Sequence, residues 1–121
     1  MFRSLLLFSL LASPAMAFQA RNGVSVIGNA DQIMVQASPG QAAPQSWCAA
    51  GDYVIRALGL GPATPVYRIS PPPRRAGEGV VFSLSPEGAA ERNGLLQIGA
   101  TGLAVSAGHA QALCQVGRWR Y

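Results

Sequence analysis

Ser46-Trp47-Cys48-Ala49-Ala50-Gly51-Asp52-Tyr53-Val54-Ile55-Arg56-Ala57-Leu58-Gly59-Leu60 reads as an amphipathic helix with both ends marked. Trp47, Ala50, Val54 and Leu58 recur at helical spacing, and Cys48 and Ile55 widen the same face. Ser46 is placed to cap the helix, its hydroxyl accepting an otherwise unpaired backbone N–H. Gly59 suits the left-handed position just past the end, Leu60 can follow it onto the helix, and Pro62 bars continuation. A helix over 47–58 is therefore expected. Asp52 and Arg56, four residues apart, form a weakly supportive pair on its flank.

Working outward, 24–28 and 33–35 read as an N-terminal hairpin around the turn residues Asn29-Ala30-Asp31. Residues 37–45, punctuated by Pro39-Gly40, read as a loop. Downstream, 66–69 and 80–84 read as strands. Ser70-Pro71-Pro72-Pro73 between them cannot join a central sheet, since three consecutive residues lack an N–H donor. A short helical segment is expected over 86–92, and strands over 95–98 and 102–105. Ser106 then caps a last helix over about 107–116, with Ala110, Leu113, Cys114 and Gly117 near one face. No repeat and no domain linker interrupts this order. It predicts one small α+β domain, a mostly antiparallel sheet with two main helices.

The first residues have another character. Met1-Phe2-Arg3 carries one positive charge, an apolar run covers 4–11, and Ala15-Met16-Ala17 offers a small-residue cleavage site. This is the pattern of a secretory signal peptide over 1–17, leaving 18–121 as the mature domain. The apolar run is much shorter than the roughly 20 residues that span a bilayer. No cysteine stands at position 18 to take a lipid. The expected location is periplasmic or secreted, with no transmembrane segment after cleavage.

Export changes the reading of Cys48 and Cys114, the only cysteines. An even number of cysteines in an exported domain predicts a disulfide, here tying the two helices together. Chain-entropy arguments assign such a loop on the order of 4 kcal/mol, which matters in a domain of 104 residues with an alanine-rich core. The competing reading is a thiol hydrolase. Cys48 in the first turn of a helix would have a lowered thiol pKa, and His109, the only histidine, could serve as base. Cysteine hydrolases of the NlpC/P60 and papain-like groups place a nucleophile similarly, and that likeness would imply action on envelope peptides. No third residue to orient the imidazole is evident, and a disulfide at Cys48 would remove the nucleophile.

The mature chain carries eight Arg, no Lys and five acidic residues, a formal charge of +3. That favours encounter with anionic surfaces without suggesting a nucleic-acid partner. Arg74-Arg75, after the triple proline, is the densest cationic point and the candidate binding site for phosphate or carboxylate groups. The partners this suggests are anionic cell-envelope material or another envelope protein. The tail Arg118-Trp119-Arg120-Tyr121 interleaves cations with aromatics. One histidine and two distant cysteines cannot make a metal-ligand cluster. The glycines lack the lysine and the strand–helix context of a phosphate loop, so no cofactor is expected.

At Trp47-Cys48-Ala49-Ala50-Gly51-Asp52-Tyr53-Val54 and Ser70-Pro71-Pro72-Pro73-Arg74-Arg75-Ala76-Gly77, the sequence is similar to small uncharacterised exported proteins of alphaproteobacteria. The similarity spans roughly 46–84. It implies periplasmic placement and brings no activity with it. The expected function is that of a non-enzymatic exported domain with a binding or envelope-associated role. Intact mass of the exported protein checks this reading: it should match residues 18–121 with no thiol open to alkylation until reductant is added. A chain that retains residues 1–17 would refute it.

Overall fold

The computed structural model describes residues 17–95 and 103–115. The expected leader over 1–17 (save Ala17), the 95–98 strand beyond Leu95 and the 118–121 tail lie outside them. Six strands, β1 (Phe18–Gln19), β2 (Ser25–Gly28), β3 (Ile33–Val35), β4 (Pro65–Arg68), β5 (Val80–Ser83) and β6 (Val105–Ser106), form one sheet in the order β1-β2-β3-β5-β4-β6. Every pairing is antiparallel. Two helices, α1 (Ala43–Asp52) and α2 (Ala107–Ala112), complete an α+β domain. The expected fold class is the observed one.

Register explains where the core sits. Val26 pairs with Val35 and Val35 with Val80; Ile33 pairs with Phe82 and Phe82 with Arg68. Side chains on one pleat face point the same way, so these rows make a single buried face with Val66. Between them, Met34, Tyr67 and Val81 face outward and are only half-buried. α1 packs across the buried face, where Trp47 meets the ring of Phe82 edge-on at 4.7 Å between centroids. Such contacts add modestly to the area the rings bury.

α1 begins one turn earlier than Ser46 predicts. Its N-cap is Ala42, whose backbone N–H donates to Gln45 Oε1 at 3.1 Å. Pro44 sits in the first turn, where its missing N–H costs nothing and its fixed φ is already helical. Ser46 is buried within the helix, and its Oγ accepts from Gln41 Nε2 at 2.7 Å instead of capping. Cys48 is consequently outside the first turn, away from the helix end whose dipole lowers a thiol pKa. At the other end, the helix widens into a π-type turn over Tyr53–Ala57, with Leu58 N–H donating to Tyr53 O. Gly59 then takes φ +69° and Leu60 N–H reaches back to Val54 O, as its position past the helix end requires.

α2 starts at its expected cap: Ser106 Oγ accepts from the backbone N–H of His109 at 3.2 Å. It passes into a 3-10 turn over Leu113–Gln115. The helix expected over 86–92 does not form. Pro86 to Ala89 is a single turn, Gly88 has φ +77°, and Ala90 N–H is drawn to Arg68 O at 2.8 Å. β1 has no counterpart in the sequence reading, because two residues carry no detectable alternation. It pairs Phe18 with Val26, and Phe18 lies against the Tyr53 ring and beneath the Arg56 guanidinium.

The two helices meet at backbone distance. Cys48 and Cys114 form the disulfide, with Cα atoms 4.7 Å apart. One turn along α1, a Cβ added to Gly51 would lie 2.6 Å from Gln111 N and 2.7 Å from Ala107 O. Asp52 follows, fully buried and not on an exposed flank. Its carboxylate accepts from Arg21 N–H (3.0 Å), Arg56 Nη1 (3.2 Å) and Gln111 Nε2 (3.1 Å), which joins the β1–β2 turn to both helices. Gly51→Ala should therefore cost about 2 kcal/mol or more, through overpacking against backbone that cannot yield. Gly61→Ala, at a position open to solvent, should change stability little. Urea unfolding of the two variants measures the difference, and equal midpoints would contradict the close approach.

Candidate functional site

Arg68 is the anomaly of the sheet. It ends β4 on the buried face, opposite Phe82, at a position that alternation reserves for an apolar side chain. Only 3% of it is exposed. Its Nε donates to Ser70 O at 2.7 Å and its Nη1 to Asn93 O at 3.4 Å; Asn93 O also accepts from Trp47 Nε1 at 2.8 Å. A buried charge is normally paired. All five acidic side chains lie among the described residues, and there only Asp52 makes ion pairs, with Arg21 and Arg56. Arg68 has no carboxylate partner among the described residues. Burial lowers its pKa, and the nearby charge of Arg74 lowers it further, although a guanidinium stays protonated at any physiological pH.

The guanidinium borders a cavity of about 260 Å³. Arg74 enters from the turn after the prolines. The sequence pairs Arg74 with Arg75, and the structure separates them. Arg74 turns inward, donating from Nη2 to Gln41 O (3.1 Å) and from Nη1 to Glu78 O (3.0 Å) and Arg75 O (3.5 Å). Arg75 is exposed and stands outside the cavity lining. Gln41 and Ser46 complete the polar end, joined by their own hydrogen bond. Gln41 Oε1 is buried with no partner among the described residues. Ala42, Ala43, Pro72, Pro73 and Val80 form the apolar part of the lining, and among the described residues no acidic or aromatic side chain lines the space. The N-terminus of α1 abuts it through Ala42 and Ala43, so the helix dipole adds partial positive charge.

Gly94 closes the remaining side. It has φ +84°, and a Cβ there would lie 2.6 Å from Arg68 Nη1 and 3.1 Å from Ala43 Cβ. Only glycine lets the 93–94 turn rest on the guanidinium.

Cys48 and His109 make no comparable site. Cys48 is fully buried in the disulfide with Cys114, and a disulfide sulfur carries no proton for a base to remove. His109 is exposed on α2. Among the described residues no three His, Cys, Asp or Glu side chains come together as metal ligands, and no helix is long and apolar enough to cross a membrane.

Gly94→Ala should displace Arg68 and cost about 1–2 kcal/mol from the left-handed backbone alone. The Arg68 Nε–H resonance in a nitrogen-15 spectrum should shift, and an unchanged resonance would show that the glycine does not seat the guanidinium.

The chemistry of this cavity stands on its own terms: the chain matches no family model, no curated protein and no solved structure.

Proposed function

We propose that the chain is an exported domain that works by binding, and that its site is the Arg68–Arg74 cavity, which holds an anionic group. One observation carries this reading: a guanidinium sits on the core face of the sheet, without a carboxylate partner among the described residues, beside a second guanidinium on the same open cavity. Two like charges are kept together there against desolvation and mutual repulsion. An anion seated between them relieves both costs.

The periplasmic or secreted location is supported by three features. Residues 1–17 have the signal-peptide pattern. The first strand begins at Phe18, the residue that cleavage after Ala17 would expose. A disulfide joins α1 to the turn after α2, and such bonds persist in oxidising compartments. In that setting the anion belongs to envelope material or to a solute of the same compartment. The hydrolase reading has no support from Cys48, whose sulfur is committed to the staple.

Melting temperature against acetate, phosphate and sulfate, at fixed ionic strength with chloride, tests the proposal. At least one anion should stabilise the protein saturably, as binding to the native state requires, and the effect should vanish in Arg74→Gln. General salting-out by sulfate does not saturate and would persist in that variant. No saturable response to any of the three anions would overturn the proposal.

A further inference from the structure

The cavity lining combines two chemistries, and this narrows what can fill it. An arginine offers five N–H donors. Three on Arg68 and two on Arg74 have no partner among the described residues. That edge suits an acceptor-only group. Much of the remaining lining is aliphatic, made of Ala42, Ala43, Pro72, Pro73 and Val80. An inorganic anion would satisfy the arginines and leave the aliphatic wall against water.

We infer that the site takes a carboxylate carried on a short aliphatic stem, with the carboxylate between Arg68 and Arg74 and the stem against Pro72, Pro73 and Val80. The inference rests on the anion-binding reading above. Charge excludes the neighbouring ligand classes. A zwitterionic amino acid would bring an ammonium beside two guanidiniums with no carboxylate among the described lining residues to receive it. A nucleotide would need a stacking surface, and no aromatic ring among the described residues lines the cavity. The space, about 260 Å³, lies below the usual range for drug-sized ligands and suits a small organic acid or the last residue of a peptide. Those two sources present the same group: a planar carboxylate next to one small apolar substituent.

Titration of the intact mature protein, followed by nitrogen-15 chemical shifts and calorimetry, tests the inference with five probes. Isobutyrate represents the free acid and N-acetyl-alanyl-alanine the peptide terminus. Their amides, isobutyramide and N-acetyl-alanyl-alanine amide, keep the shape without the charge, and inorganic phosphate keeps charge without the stem. At least one carboxylate should bind saturably and at least tenfold more tightly than phosphate, and the matching amide should not bind. Arg74→Gln should weaken that carboxylate about tenfold or more, the loss of a charge-assisted hydrogen bond. Arg75→Gln, outside the cavity, should leave it unchanged. The tighter of the two carboxylates identifies the source. Phosphate binding as tightly as either carboxylate, or an amide binding as well as its acid, would overturn the aliphatic-carboxylate assignment and leave the anion site standing. Silence from all five probes, together with no saturable response to acetate, phosphate or sulfate, would overturn the site itself.

Discussion

Everything in this domain depends on how closely α1 approaches α2. Gly51 presents bare backbone to Ala107, Ala110 and Gln111, and any side chain there would push the helices apart. The disulfide at Cys48 and the Asp52 hub bracket that contact, one turn before it and one residue after. With α1 pinned in this way, Trp47 reaches both Phe82 and the carbonyl of Asn93. The Asn93 carbonyl in turn meets Arg68. A packing constraint at the far end of the helix is thus connected, through one indole and one carbonyl, to the charged cavity at its start.

Local chemistry was legible and long-range chemistry was not. Gly59 past the end of α1 and Ser106 before α2 could be read because a helix terminus must satisfy its backbone with residues a few positions away. The disulfide could be read because two cysteines, behind a stretch with the pattern of a signal peptide, allow one intramolecular pairing. The start of α1 was misjudged because Pro44 resembles a breaker in a loop and a favoured residue in a first turn. Asp52 looked like a surface partner of Arg56, and its burial depends on Arg21 and Gln111, which no local pattern connects to it.

The site shows the same division. In Val66-Tyr67-Arg68-Ile69 the alternation is ambiguous, and the pair Tyr67/Ile69 looks the more apolar face. The structure buries Val66 and Arg68, because pairing with β5 sets the register and puts Arg68 opposite Phe82. Arg74 and Arg75 stand next to each other in sequence and point apart, one returning to Gln41 and the other facing solvent. The cationic pair that matters joins a strand end to a post-proline turn. Sequence reasoning found one of its two members.

The position of the disulfide also has a mechanical meaning. The covalent ring from Cys48 to Cys114 encloses the second half of α1, β4, β5, β6 and all of α2, and leaves β1, β2 and β3 outside it. Tension applied along the chain would pass through the sulfur atoms and bypass the ring. The outer half of the sheet would peel away first, strand by strand. The two arginines and Gly94 would stay held in a loop that cannot lengthen, while Gln41 and Ser46 would leave with the peeling segment. The cavity straddles that boundary, so pulling would open it before the enclosed half of the domain lost its shape.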